Sequence, residues 1–141
     1  MNIKLPKNCC LLTLPKHVDV RGTLTIAELQ GDIPMRVERI FWIHGAGANV
    51  NRGEHAHKLN TELLFAVAGS FTMTVDDGTT KADIRLDSPE KGLMLGPWIW
   101  GRLHDFEPGT VVLCLCSKPY IAEGYINDYE EFLSLVNGQK A

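Results

Sequence analysis

Short runs of alternating apolar and polar residues recur along the chain, and turn-forming residues separate them. The clearest run, residues 71–75, is followed by Asp76-Asp77-Gly78, whose Asp-Gly step is typical of a tight hairpin turn. Only residues 128–136 place apolar side chains at helical spacing, with Asn127 or Asp128 as the cap and Gly138 as the stop signal. This pattern predicts an all-β sandwich or barrel with one short C-terminal helix.

The size and charge of the chain exclude several classes of protein. Its 141 residues fit a single domain, predicted over 1–141, with 45% hydrophobic and 22% charged residues. A formal net charge of -3 does not indicate a nucleic-acid partner. No apolar run is long enough to span a membrane, and Pro6, Lys7, Pro15 and Lys16 interrupt the N-terminal segment where a signal peptide would need an apolar core. We therefore predict a cytoplasmic protein whose four cysteines are thiols.

Ionisable side chains are concentrated in residues 52–58, Arg-Gly-Glu-His-Ala-His-Lys. In an extended strand, His55 and His57 point to the same face, because side chains alternate between faces. Two imidazoles on one inner face of a barrel can bind a metal ion or transfer protons at neutral pH. A solvated edge strand with incidental histidines would give the same local pattern.

The spacing of His55, His57, Glu62 and Gly69 resembles the first cupin motif. The second motif is less regular, because His104 lies further from its proline than in metal-binding cupins. A closer resemblance covers nearly the whole chain. The motifs Arg-Gly-x-His-Ala-His-Lys, Val-Asp-Asp-Gly, Leu-Asp-Ser-Pro, Gly-Pro-x-x-Trp and His-Asp-Phe are similar to those of the sugar 3,4-ketoisomerases, which are WxcM-like cupins.

The resemblance implies an all-β cupin or jelly-roll barrel that forms a homodimer with exchanged N-terminal strands. It also implies an isomerase that moves the keto group of dTDP-4-keto-6-deoxyglucose from carbon 4 to carbon 3 and uses no metal or organic cofactor. The products of such enzymes supply 3-amino-3,6-dideoxy sugars for surface polysaccharides, such as lipopolysaccharide or S-layer glycans. The partner of this chain is therefore expected to be a dTDP-linked 4-keto-6-deoxy sugar.

We assign roles to residues on this basis. His55 and His57 are the predicted acid/base pair, with a preference for His57 as the base at carbon 3. Arginines suit a diphosphate because the planar guanidinium binds phosphate oxygens in pairs. The predicted substrate-binding residues are Arg52, Arg39, Arg102, Arg21, His104, Gly101 and Trp100. An aromatic wall for the thymine is expected from Trp98, Trp100 or Phe41, whereas Tyr120, Tyr125 and Tyr129 are expected to pack against the C-terminal helix.

Two departures from the ketoisomerase pattern leave other functions open. Phe41-Trp42 stands where relatives often have two tyrosines, and Gly101 stands where relatives have a histidine, a position expected near the sugar. One alternative is a metal-dependent cupin enzyme with the ligands His55, His57, Glu62 and His104. The other is a cupin that binds nucleotide sugars without catalysis.

Overall fold

The computed structural model describes residues 3–140, and the side chains of residues 3–138. Twelve strands precede one α-helix. The strands are β1 (Cys9–Thr13), β2 (Lys16–Asp19), β3 (Gly22–Thr25), β4 (Arg39–His44), β5 (Arg52–His57), β6 (Glu62–Ala68), β7 (Phe71–Asp76), β8 (Lys81–Leu86), β9 (Lys91–Leu95), β10 (Trp100–His104), β11 (Val111–Cys116) and β12 (Tyr125–Ile126), and the helix is α1 (Tyr129–Lys140). A single 3₁₀ turn, Ala122–Gly124, precedes β12.

Two antiparallel five-stranded sheets form the body of the molecule. The first has the order β1-β9-β6-β11-β4, the second has the order β12-β5-β10-β7-β8, and β2 and β3 form a separate hairpin. The largest core cluster takes side chains from both sheets, including Leu64, Phe71, Met73, Leu93 and Val112. The apolar side chains of the two sheets are therefore buried against each other, and the prediction of an all-β fold is confirmed.

Local sequence signals account for the β7–β8 hairpin. On β8, Ala82, Ile84 and Leu86 are buried and alternate with three exposed residues, as expected for a strand with one face on the core. At the turn, the Gly78 N–H donates to Asp76 Oδ1 at 2.7 Å, and Gly78 has a φ of 90°. Glycine adopts this left-handed conformation without steric cost, so the predicted hairpin forms where its turn residues indicated.

The C-terminal helix covers part of the outer face of the second sheet. Asp128 caps it, because Asp128 Oδ2 accepts from the Glu131 N–H at 2.9 Å. The helix was expected to stop before Gly138, but it continues through Gly138 to Lys140. Phe132 and Val136 pack with Ala56 and Ile126 in a separate apolar cluster. Within the part of the chain that the structure describes, no helix is long and apolar enough to cross a membrane.

Candidate active site

A cavity of about 300 Å³ lies between the two sheets, and both sheets contribute side chains to it. Its polar side chains are Arg39, Arg52, His55, His57, Glu62 and Tyr125. Its apolar wall includes Phe41, Ile43, Leu64, Met73, Leu95, Ile99 and Leu103, and Gly101 lies among them. The cavity therefore combines a small cluster of ionisable groups with apolar walls, as ligand sites commonly do.

An irregularity in β5 brings Arg52 and His55 into the same cavity. Residues three apart would point to opposite faces of a regular strand. Here Gly101 pairs with His55 and Arg102 pairs with Gly53, so Glu54 is an extra residue at a β-bulge, with a φ of 57°. A Cβ on Gly53 would lie 2.9 Å from the Gly101 carbonyl oxygen, which explains why glycine occupies that position.

The two histidines contact each other edge to face, with ring centroids 4.8 Å apart. His55 Nδ1 lies 3.1 Å from the Gly53 carbonyl oxygen. A carbonyl can only accept, so Nδ1 carries the proton of neutral His55 and Nε2 keeps a free lone pair. Burial, and then the charge of His57, lower the pKa of His55. At neutral pH His55 is therefore uncharged and has the form of a general base.

Glu62 joins the pair from the first sheet. Its Oε1 lies 3.3 Å from His57 Nε2, and both side chains are about nine-tenths buried. Burial by itself would raise the pKa of the Glu62 carboxyl, but the contact with His57 and the charges of both histidines outweigh burial and hold that pKa below its usual value. A negative charge therefore lies next to His57.

Arg39 and Arg52 are the two cations that line the cavity among the described residues. The Arg39 guanidinium lies over the Phe41 ring, 5.0 Å from its centroid, and 5.4 Å from the Tyr120 centroid. Its Nη1 is 3.5 Å from the Tyr125 hydroxyl. Arg39 is thus held between aromatic rings, whereas Arg52 is exposed at the surface.

Three of the predicted substrate-binding residues lie outside the cavity. Gly101 and Leu103 of β10 line it, so Trp100, Arg102 and His104, which alternate with them, point to the other face of the sheet. There Trp100 packs on Tyr129 and Phe132, with ring centroids 5.3 and 5.7 Å away. The structure does not bring these three residues together with the histidine pair.

His104 has its own partners on that outer face. Its Nε2 lies 2.7 Å from Thr74 Oγ1, and its Nδ1 lies 3.2 Å from Asp105 Oδ2. The four-ligand metal site considered from sequence is therefore incomplete. His55, His57 and Glu62 place ligand atoms within 4.8 Å of one another, but His104 faces away from them.

Arg21 also lies apart from the cavity of its own chain. It follows β2 in the turn of the separate hairpin, where its Nη2 is 2.6 Å from Asp19 Oδ2, and both side chains are exposed.

Tyr125 and Glu62 were not assigned to the ketoisomerase site from sequence. The Tyr125 ring centroid lies 4.9 Å from that of His55 and 4.5 Å from that of His57, so the expectation that Tyr125 packs against the helix was wrong. The short strand β12 places Tyr125 directly opposite His57 of β5. Tyr129 is itself the first residue of helix α1, and its ring stacks on that of Phe132 in the same helix. No spacing in the sequence links residue 125 to residue 57, because strand pairing brings them together.

Two packed antiparallel sheets with paired histidines in the cavity between them are typical of the cupin class of proteins. The family described as "FdtA: WxcM-like, C-terminal" matches residues 7–137, and the chain belongs to this family.

Several relatives support the assignment. The chain is 35% identical over 122 residues to a TDP-4-oxo-6-deoxy-alpha-D-glucose-3,4-oxoisomerase from Aneurinibacillus thermoaerophilus, covering 86% of this chain and 88% of that protein. A 3,4-ketoisomerase from Helicobacter canadensis superposes with a TM-score of 0.89 at 34% identity, covering 92% and 98% of the two chains. QdtA, a sugar 3,4-ketoisomerase from Thermoanaerobacterium thermosaccharolyticum solved with TDP, gives a TM-score of 0.93 at 28% identity, covering 97% and 100%.

Proposed function

We propose that this protein is a nucleotide-sugar isomerase that moves the keto group of dTDP-4-keto-6-deoxyglucose from carbon 4 to carbon 3. The observation that carries the proposal is a cavity in which a histidine pair, a carboxylate and two arginines meet. The relatives agree with it. The Aneurinibacillus protein is named for this reaction, and a QdtA variant has been solved with TDP-4-keto-6-deoxyglucose.

The reaction needs proton transfers only. A base removes the proton from carbon 3, the electron pair forms a double bond between carbons 3 and 4, and the carbon 4 oxygen takes up a proton to give an enediol. The carbon 3 hydroxyl then loses its proton, the carbonyl forms at carbon 3, and a proton returns to carbon 4. Substrate and product are isomers, so neither an oxidant nor a reductant is consumed.

The environments of the histidines favour different roles for them. His55 has a free Nε2 lone pair and a lowered pKa, which suits the base at carbon 3. His57 Nε2 lies 3.3 Å from the buried Glu62 carboxylate, and we assign His57 as the acid at the carbon 4 oxygen. This assignment reverses the preference for His57 as base that the sequence suggested.

Tyr125 supplies a phenol to the cavity, in which Phe41 stands where relatives often have a tyrosine. Its ring contacts both histidines and its hydroxyl lies near Arg39. We propose that the Tyr125 hydroxyl binds a polar group of the substrate and so compensates for the missing tyrosine at position 41.

Incubation with dTDP-4-keto-6-deoxyglucose tests the proposed function. A sugar 3-aminotransferase traps the 3-keto product, and NMR identifies the amino sugar. We expect turnover that persists after treatment with a chelator. Binding of the dTDP-sugar without turnover would support a non-catalytic protein, and loss of both stoichiometric metal and activity on chelation would support a metal-dependent cupin.

A homodimer in which the β2–β3 hairpin packs on the partner subunit fits the distribution of exposed apolar residues. Val18 and Leu24 of the hairpin are 68% and 61% exposed, and Ile40 and Trp42 on the first sheet are 50% and 62% exposed. Such patches are typical of interfaces. Strand β1 pairs with β9 of its own chain, so the exchanged element would be the hairpin, which carries Arg21.

Analytical ultracentrifugation checks the dimer. We expect twice the 15.7 kDa mass of one chain, and a shift toward the monomer for Trp42→Glu. A monomer for the unmodified protein at micromolar concentration would contradict the dimer. A cytoplasmic location and a role in supplying sugars for surface polysaccharides stay predictions from the family resemblance.

Gly101→His is expected to shift the product from the gluco toward the galacto configuration at carbon 4. Gly101 lines the cavity, and a histidine there could deliver a proton to carbon 4 from a wall that now lacks one. A Cβ would lie 2.7 Å from Met73 Cε and 3.2 Å from Leu95 Cδ2, both ends of flexible side chains. The trapped amino sugar reports the configuration through proton couplings across carbons 3, 4 and 5.

Gly101→Phe is the matched control, because it fills similar space without a proton donor. An unchanged product ratio in an active Gly101→His variant would refute a stereochemical role. A lower melting temperature with the same ratio in both variants would show that Gly101 serves only packing.

A further inference from the structure

Glu62 lies where the histidine pair meets a pair of buried thiols. It is the first residue of β6 and pairs with Cys116 of β11. Its Oε1 is 3.3 Å from His57 Nε2, and its Oε2 is 3.5 Å from Cys114 Sγ and 4.0 Å from Cys116 Sγ. Among the described residues, His57 is the basic side chain within ion-pair distance of Glu62.

The two thiols contact the other oxygen of the carboxylate, and neither cysteine is among the residues that line the cavity. Burial, and then the neighbouring Cys116 and Glu62, raise the pKa of Cys114 well above its usual value. Cys114 therefore stays protonated, and its S–H donates to Glu62 Oε2. An S–H group is a weak donor, so it satisfies a carboxylate oxygen without neutralising its charge. The negative charge of Glu62 is then balanced chiefly by His57.

The contact with Glu62 also determines which nitrogen of His57 is available. His57 Nε2 is buried and has no hydrogen-bond partner, apart from the approach of Glu62 Oε1 at 3.3 Å. A proton on Nε2 is stabilised by the carboxylate, so Nδ1 is the nitrogen left for a substrate. His55 has the opposite arrangement, because its Nδ1 faces a backbone carbonyl.

The other groups around His57 do not provide this charge. His55 lies on the same strand and Tyr125 lies across from it on β12. Arg39 of β4 lines the same cavity but is a cation. Glu62 is thus in direct contact with His57, whereas it acts on His55 only through its charge.

We infer that Glu62 is a positioning residue that holds the His57 ring with Nε2 toward the carboxylate and leaves Nδ1 for the substrate, so that His57 acts as the acid of the isomerisation. This inference rests on the proposed ketoisomerase function. In the first half-reaction His57 gives its proton to the carbon 4 oxygen, and in the second half it recovers a proton from the carbon 3 hydroxyl. Glu62 takes up no proton in either half.

Glu62→Gln tests the inference, because it removes the charge and keeps the size of the side chain. We expect kcat to fall about tenfold or more with little change in KM, since a proton transfer is impaired and the substrate contacts remain. In a plot of kcat against pH, the alkaline limb is the range in which kcat falls as pH rises. This limb should move toward lower pH by about one unit, as expected when an opposite charge is removed from a protonated group. Glu62→Asp, which keeps the charge but places it further from His57, should move the limb in the same direction by less than Glu62→Gln does. Glu107→Gln, an exposed carboxylate paired with Arg85 at 3.5 Å, is the matched control.

NMR titration of the His57 ring, without substrate, separates this inference from the proposed function. We expect the His57 signals of Glu62→Gln to titrate at lower pH than those of the unmodified protein. If neither the His57 titration nor the alkaline limb of kcat changes, the inference is overturned. This holds even if the variant has a lower melting temperature or a lower kcat. If the unmodified protein does not turn over the sugar while the titration shifts, the coupling of Glu62 to His57 stands and the proposed function fails. If Glu62→Gln does not fold, the same titration of Glu62→Asp decides, because a longer carboxylate–imidazole distance should also move it toward lower pH.

Discussion

Replacing His55 with asparagine should lower the turnover of dTDP-4-keto-6-deoxyglucose about 100-fold or more, because the base at carbon 3 is lost. The asparagine amide can still donate to the Gly53 carbonyl, which His55 Nδ1 contacts at 3.1 Å, so the bulge in β5 should persist. His57→Asn should give a loss of similar size, because it removes the acid. Single-turnover assays with the aminotransferase trap measure both effects.

The affinity for dTDP should remain nearly unchanged in these variants, since neither substitution touches Arg39 or Arg52. Calorimetry with dTDP checks this, and it also shows that the variants are folded. His44→Asn is the matched control, because His44 is an exposed histidine of β4 outside the cavity lining. Near-normal turnover in both His55→Asn and His57→Asn would contradict the acid/base assignment.

Arg52→Ala should weaken the binding of dTDP and of the dTDP-sugar alike. Arg52 lines the cavity and has a free guanidinium at its exposed side, where a diphosphate can accept charge-assisted hydrogen bonds. Such bonds contribute about 1.5–3 kcal/mol, which corresponds to roughly a ten- to 150-fold loss of affinity. Calorimetry at two salt concentrations measures it, and the loss should be smaller at high salt because ions screen the interaction.

Arg36→Ala is the control for this experiment. Its side chain is 88% exposed and 3.7 Å from Glu38, and it does not line the cavity, so dTDP affinity should not change. Equal affinity of Arg52→Ala and the unmodified protein for dTDP would exclude Arg52 from the diphosphate site. Arg39 would then be the principal phosphate ligand of the cavity.

The sequence alone determined the class of fold and the pairing of His55 and His57. The β7–β8 hairpin and the cap of α1 depend on local signals, an Asp-Gly turn and an aspartate before the helix, and both form where they were predicted. The placement of His55 and His57 in one cavity also follows from local geometry, because residues two apart share a face of a strand.

Tertiary structure decided which face of β10 lines the cavity. Alternation predicts that Trp100, Arg102 and His104 share a face opposite Gly101 and Leu103, but it does not say which face is interior. Helix α1 packs on Trp100 on the outer face, so the side chains of that face are partly buried and the usual contrast between a buried and an exposed face is weakened. The position of His104 could therefore not be read from the sequence.

The bulge and the strand pairing supplied the remainder of the site. The extra residue Glu54 shifts the alternation of side chains along β5. Arg52 therefore lines the cavity, whereas in a regular strand it would point to the opposite face. Tyr125 and Glu62 reach His57 because β12 pairs with β5 and the two sheets pack face to face, which joins residues distant in sequence. Long-range pairing depends on the packing of the whole core, whereas the signals in a sequence act over a few neighbouring residues.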